Sequence, residues 1–273
     1  MPNFLCTTCG TQYPESVLPP EHCVICTEER QYVGWKGQRW TTLDQLRRDH
    51  RNRFEAEAEG LLGVGTEPHF AIGQRALHLG MRPGGILWDC ISLVDDATIA
   101  ALLTLGGVSA IAISHPHFYS SMIEWSRALG GVPVYLHALD RAWVIRDDPA
   151  IRYWDGPALE IAAGVTLLHI GGHFAGSTVL HWAAGAGGLG ALLVGDSLMV
   201  GQDRRTVSFM YSYPNLIPVN AATVRRIAGA LEPYEFEQIF GGWFGKNILE
   251  GGKQALRYSA RRYLHAIAER AEG

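Results

Sequence analysis

Three histidines and one aspartate, far apart along the chain, each lie beside a run suited to a β-strand, and any fold for this sequence has to bring those strand ends to use. His115-Pro116-His117 closes the apolar run Val108 to Ser114. His173 stands in Gly171-Gly172-His173-Phe174-Ala175-Gly176-Ser177, and Gly195-Asp196 follows the apolar run Leu189 to Val194. Residues i and i+2 of an extended chain point the same way, so His115 and His117 can offer two imidazoles to one cation. A glycine-rich turn can bring a third from His173. A carboxylate at the end of a buried strand is poorly explained as core, because Asp almost never goes inside unpaired. His115, His117, His173 and Asp196 are therefore expected to bind one metal ion, since clustered ionisable groups at strand ends mark sites.

The N-terminus carries a second set of ligands. Cys6-Thr7-Thr8-Cys9 and Cys23-Val24-Ile25-Cys26 are two Cys-x2-Cys knuckles with thirteen residues between them. That spacing reads as a four-cysteine zinc site, each knuckle turning two thiolates toward one ion. Two disulfides are the alternative, but nothing resembling a signal peptide precedes Cys6, and a cytoplasmic setting keeps thiols reduced. Four thiolates fill a tetrahedral shell, so this zinc is expected to be structural, supplying folding free energy to a segment too short for a core. The remaining Cys90 reads as a small buried hydrophobe.

The organisation expected is a zinc ribbon over residues 1–36, a helical linker over 37–60 and a main domain over 61–273. Thr42 with Gln45 forms a capping box opening the linker helix, and the charged stretch Arg47 to Glu59 continues that helix or becomes a solvated connector. Strands are expected near Phe70 to Leu79, Ile86 to Ile91, Val108 to Ser114, Val132 to His137, Val165 to His169, Thr178 to Trp182 and Leu189 to Val194. Helices are expected from Asp96 to Leu105, after the Ser121/Glu124 capping box, and from about Gly252 to Arg270. Leu256, Ala260, Tyr263, Leu264 and Ile267 form the apolar face of that last helix; Lys253, Arg257, Arg261, Arg262 and Arg270 form a solvated basic face. Alternating strands and helices place the chain in the α/β class.

The order of the ligand motifs resembles that of the metallo-β-lactamase superfamily from about Thr66 to about Ile248. Members carry H-x-H-x-D-H, then a histidine in a glycine-rich turn, then Gly-Asp, then a final histidine. Gly84-Gly85-Ile86-Leu87-Trp88-Asp89-Cys90 resembles the strand before the first helix, and Tyr213-Pro214-Asn215-Leu216-Ile217-Pro218 is similar to the late part of hydrolase members. The resemblance implies an αββα sandwich with metal at one sheet edge, and it gives Asp196 the carboxylate position that bridges two metals in dinuclear members. Where the family places its Asp and next His, this chain has Tyr119 and Ser120, and the late segment reads Phe240-Gly241-Gly242-Trp243-Phe244-Gly245. A phenol must first lose a proton with a pKa of about 10 to bind zinc well, and a serine hydroxyl or an indole is worse. One metal, zinc or iron, is therefore expected in this site.

Zinc with an open position acidifies bound water and polarises a carbonyl, which suits hydrolysis of a small ester, thioester or lactone. In that reading Asp196 orients the water or accepts a proton, while Tyr119 orients the water or donates to an oxyanion. Trp243, Phe244, Lys246 and Asn247, near the family's last ligand, are candidate pocket residues. Two histidines and a carboxylate also suit a mononuclear iron dioxygenase acting on a thiol or persulfide. A non-catalytic protein binding RNA or a protein partner is the reading from another class. His69, His78, His137, His169 and His181 are read as core or surface residues.

Composition narrows the partners. At 273 residues and 47% hydrophobic content the chain can bury one sizeable core plus the ribbon. A net charge of −4 argues against nonspecific nucleic-acid binding. Apolar runs fall short of the ~18 residues a membrane span needs. The expectation is a soluble, cytoplasmic protein with a small-molecule substrate and a second copy of itself as a candidate partner.

Overall fold

The apolar run ahead of the histidine pair becomes an inner strand of a seven-stranded sheet in the computed structural model, which describes Met1–Ala268. The chain divides into two compact units, one over Met1–Trp154 and one from Asp155 onward. The first opens with β1 (Asn3–Cys6), β2 (Gln12–Glu15) and β3 (Trp40–Thr42), paired antiparallel in the order β2-β1-β3. Helix α1 (Leu43–Asp49) follows, and the Thr42 side chain accepts from the Gln45 N–H at 3.3 Å as its capping sequence predicts.

The charged stretch beyond α1 is neither helix nor connector. Arg51–Ala58 is strand β4, at one edge of the large sheet and antiparallel to β5 (Leu61–Glu67). Its charges alternate, Arg51, Arg53, Glu55 and Glu57 falling on one face. That is a period-two signal which charge content hides. Glu57 pairs with Arg75, and both side chains are buried, so charge inside is tolerated here through its partner.

The sheet continues through β6 (Arg75–Leu79), β7 (Gly85–Trp88), β8 (Val108–Ala112), β9 (Val134–His137) and β10 (Ile151–Trp154), in the spatial order β10-β9-β8-β7-β6-β5-β4. Strands β4 to β7 are antiparallel neighbours, while β7 to β10 pair in parallel. Parallel strands covered on both faces need near-continuous apolar sequence, and Ile86, Leu87, Trp88, Ala110, Ile111 and Ala112 are all buried. The crossovers carry α2 (Asp96–Thr104), capped by Asp95 through the Thr98 N–H at 2.7 Å, and α3 (Met122–Ala128). Ser121 does not cap α3 as its capping box predicts. Its φ of −101° and ψ of 39° lie outside the extended geometry of a cap, and its hydroxyl donates to the Ser92 carbonyl at 2.8 Å.

The second unit is built on β11 (Ala158–Ala162), β12 (Val165–His169), β13 (Thr178–Trp182) and β14 (Ala191–Leu193). Two short ribbons follow, β15 (Met199–Val200) with β16 (Val207–Ser208) and β17 (Met210–Ser212) with β18 (Ile217–Pro218). Helix α4 (Ala221–Leu231), β19 (Gln238–Phe240), β20 (Asn247–Ile248) and α5 (Gly252–Ile267) complete it, with sheet order β11-β12-β13-β14-β19-β20. Val224, Ile227 and Leu231 of α4, with Leu256 and Ala260 of α5, share a buried cluster with Leu168, Ile170, Val179, Leu192 and Val194. The predicted apolar face of α5 is thus the packed one, with Tyr263 and Leu264 at its margin and Ile267 exposed. Its basic face is less free than its sequence implies. Lys253 is buried, donating to the Glu232 carbonyl at 2.8 Å and to Glu235 at 2.5 Å, and Arg257 pairs with Glu232. Arg270 and the predicted end of α5 lie outside the described residues. Among the described residues, no helix is long and apolar enough to cross a membrane.

Candidate metal centres

The four N-terminal thiols come together in one buried cluster. Cys6, Cys9, Cys23 and Cys26 are buried, and their sulfurs all lie within 4.8 Å of one another. The Cys6–Cys26 and Cys9–Cys23 separations are both 3.6 Å, well beyond a disulfide bond, and all four cysteines are free. Tetrahedral zinc at about 2.3 Å from each sulfur would set sulfurs about 3.8 Å apart, so the donor set fits that ion. The knuckles are tight turns: Gly10 N–H donates to Cys6 O at 2.8 Å and Cys26 N–H to Cys23 O at 3.0 Å. Gly10 takes φ +83°, which the first turn needs. Hydrogen bonds from Cys23, then Cys26 and Cys9, pull the Cys6 thiol far below its ordinary value. Tyr13, Ile25, Trp40, Trp143 and Ile145 pack around the cluster.

His115 and His117 do converge, by a turn rather than by strand pleating. Strand β8 stops at Ala112; His115 is extended, but Pro116–Phe118 is one turn of 3-10 helix with the proline at its start. Pro116 suits the first position of a helical turn, and that turn swings His117 back, leaving ring centroids 5.2 Å apart. The loop is anchored from the end of β7. Buried Asp89, at φ +61°, accepts from Ser114 N–H at 2.7 Å, and Ser114 Oγ lies 2.9 Å from His115 Nδ1. With Nδ1 engaged, Nε2 is the His115 nitrogen left to meet a metal.

His173 is held by the same logic on different elements. Gly171 and Gly172 have φ of +58° and +98°, and a Cβ on Gly172 would come within 2.8 Å of the Ile227 side chain. Only glycine fits that turn without strain. Ser197 locks it, donating to Gly171 O at 2.7 Å and accepting from His173 N–H at 3.2 Å. His173 Nδ1 lies 3.2 Å from the Met210 carbonyl, so Nδ1 carries the proton and Nε2, 3.6 Å from Asp196 Oδ2, is turned to the carboxylate. Asp196 itself opens a short 3-10 turn after β14, and the Tyr213 hydroxyl donates to its carbonyl at 2.8 Å.

One candidate ligand atom from each of His115, His117, His173 and Asp196 lies within 4.8 Å of the others, and all four residues are buried. Three imidazoles and a carboxylate are a donor set suited to zinc or a non-haem iron. Asp89, Ser114, Ser197 and Tyr213 support these ligands without being predicted to. The signal for Ser197 was its place directly after Asp196; for the others it lay only in the folded contacts.

The remaining candidates fall outside that group. Tyr119 is buried, its hydroxyl donating to Asp140 O at 3.5 Å, and burial, then the Asp140 charge, pushes its phenol well above the ordinary range. Trp243, Phe244 and Lys246 occupy the turn between β19 and β20, and Asn247 begins β20; Lys246 Nζ donates to Gln202 at 2.6 Å. His78 and His181 are buried and bond the carbonyls of Gly107 and Glu235, at 3.1 and 2.8 Å, as core histidines do. His69 and His169 bond nearby carbonyls, and buried His137 caps the turn that follows β9.

No family model matches the chain. It is 44% identical over 270 residues to YmaE of Bacillus subtilis (strain 168), an uncharacterized protein, a match covering 98% of this chain and 97% of that one. The chain belongs to the YmaE family. Solved structures add the fold of this YmaE relative. It is similar to the metallo-β-lactamase DIM-1 (TM-score 0.59, 16% identity, 79% of this chain and 98% of that one). It is also similar to FIM-1 from Pseudomonas aeruginosa in its mono-zinc form (0.57, 15%, 79% and 96%) and to a metallo-β-lactamase from Hirschia baltica (0.54, 18%, 77% and 96%). This YmaE-family chain has the metallo-β-lactamase fold, the αββα class its ligand order implies, with a four-cysteine cluster at its N-terminus.

Proposed function

We propose that this chain is a metal-dependent hydrolase of a small ester, thioester or lactone, with one ion held by His115, His117, His173 and Asp196. The observation that carries the reading is the convergence of those four buried side chains within 4.8 Å. A divalent ion bound there would supply a Lewis acid that polarises a carbonyl and acidifies water. The chain's own residues do the rest. Ser114 and the Met210 carbonyl orient two imidazoles through Nδ1. Asp196, buried beside His173, serves as both ligand and proton acceptor. Tyr119, whose hydroxyl is committed to Asp140, steadies the loop in this proposal and leaves proton transfer to Asp196. Trp243, Lys246 and Asn247 line the substrate's approach. Zinc in the four-cysteine site makes the N-terminal segment a zinc ribbon, and free thiols suit a cytoplasmic setting.

Metal analysis of the purified chain with an ester, thioester and lactone panel tests this. Two zinc ions per chain are expected, one for each cluster. Turnover should be lost in His115→Ala and Asp196→Ala. Iron in the second cluster with oxygen uptake on a thiol or persulfide would replace the hydrolase reading, and absence of metal there would end it.

A further inference from the structure

The two residues that depart from the metallo-β-lactamase motif, Tyr119 and Ser120, both face the cysteine segment. Tyr119 and Ser120 line a small cavity with Thr11, Gln12, Ile145 and Arg146. The Ser120 carbonyl accepts from Gln12 N–H at 3.1 Å, and its hydroxyl accepts from Gln74 Nε2 at 2.9 Å. These bonds hold Ser120 at φ +43°, a left-handed conformation that a non-glycine residue keeps only when its surroundings impose it. Arg146 bridges Gln12 Oε1 to Glu124 on α3, the helix that leaves the loop. Nearby, Ser92 Oγ donates to Gly10 O at 2.9 Å, and a Cβ on Gly10 would stand 2.3 Å from Ser92 Oγ. Gly10 directly follows Cys9, and Ser120 is three residues from His117.

We propose that the four-cysteine segment positions the His115–His117 loop for metal binding, through Gly10 on Ser92 and Gln12 on Ser120. This rests on the metal reading of the His/Asp cluster. In a dinuclear relative the positions of Tyr119 and Ser120 serve a second ion; here they dock a second module. Without its own ion the segment loses the turns at Gly10 and Gln12, because binding free energy is folding free energy in so small a module. Ser120 then loses the Gln12 N–H that holds its backbone carbonyl, and the loop bearing two imidazoles loosens. The coupling is reciprocal: metal in either cluster tightens metal in the other.

Cobalt(II) loaded into the full-length chain reports on both clusters, through a thiolate-to-cobalt band for the cysteines and visible d–d absorption for the His/Asp cluster. Chelator competition on wild type, Ser92→Ala and Arg146→Ala, which cut the contacts at Gly10 and Gln12 from outside the cysteine segment, then gives the affinity of each. The expected result is a His/Asp affinity about tenfold to a hundredfold weaker in the variants, with the thiolate band retained. General unfolding would instead remove both signals together, and Ser92→Ala and Arg146→Ala, which add no bulk, guard against that outcome. Cobalt bound at the His/Asp cluster with equal affinity in wild type and variants overturns the coupling alone. No cobalt there in wild type overturns the coupling and the hydrolase reading together.

Discussion

The two candidate metal clusters are made in opposite ways. In the cysteine cluster all four ligands come from one stretch of twenty-one residues and are chemically identical, and the turns that aim them are closed by the knuckles' own backbone. In the His/Asp cluster the candidate ligands come from three distant segments, and His115, His173 and Asp196 are held by residues outside the set: Asp89 and Ser114 for His115, Ser197 and Met210 for His173, Tyr213 for the turn at Asp196. A cluster closed locally depends on its ion for structure. A cluster assembled by the fold depends on the fold for its geometry, and on the residues around its ligands to orient them.

Cys23→Ser should show the largest effect. Structural zinc contributes apparent binding free energies of about 10–16 kcal/mol to small modules, so losing one thiolate should unfold the N-terminal segment. Hydrogen exchange would register this as lost protection over residues 1–36, and retained protection would break the contrast. Asp196→Ala should instead remove the ion from the second cluster, with affinity lowered at least about a hundredfold and a melting temperature shifted far less than by Cys23→Ser. Isothermal titration alongside calorimetry separates the two. Gly172→Ala forces a side chain into a left-handed turn against Ile227, at a cost of about 1–3 kcal/mol in denaturant unfolding, together with weaker metal binding through His173. Ser197→Ala is the mildest: about tenfold in metal affinity, since His173 keeps its Met210 contact. If Ser197→Ala matched Asp196→Ala, the supporting shell would matter as much as the ligands and the contrast would need redrawing.

Much of this was legible in residues. The Cys-x2-Cys pairs, the three histidines and Asp196 mark the side chains that the fold gathers into two clusters, and β12 and β13 fall on Val165–His169 and Thr178–Trp182, where strands are expected. Other readings missed because competing interactions are invisible along a chain. The charge content of Arg47 to Glu59 points to a continued helix or a solvated connector, yet its alternation over Arg51–Ala58 serves a strand whose Glu57 finds buried Arg75. Ser121 looked like a cap and bonds Ser92 instead; Lys253 looked solvated and lies buried on Glu232 and Glu235. The expectation that His115 and His117 share a strand face gave way to a 3-10 turn at Pro116.

By itself the amino-acid order determined which atoms are available to bind metal, because donor chemistry belongs to the side chain and Cys-x2-Cys closes its turn within a few residues. Only the tertiary structure decided which imidazole nitrogens are turned toward the cluster, how His117 swings back to His115, and that Tyr119 and Ser120 meet Thr11 and Gln12. Those outcomes depend on hydrogen bonds between segments far apart in sequence, whose geometry exists only once the sheets have formed.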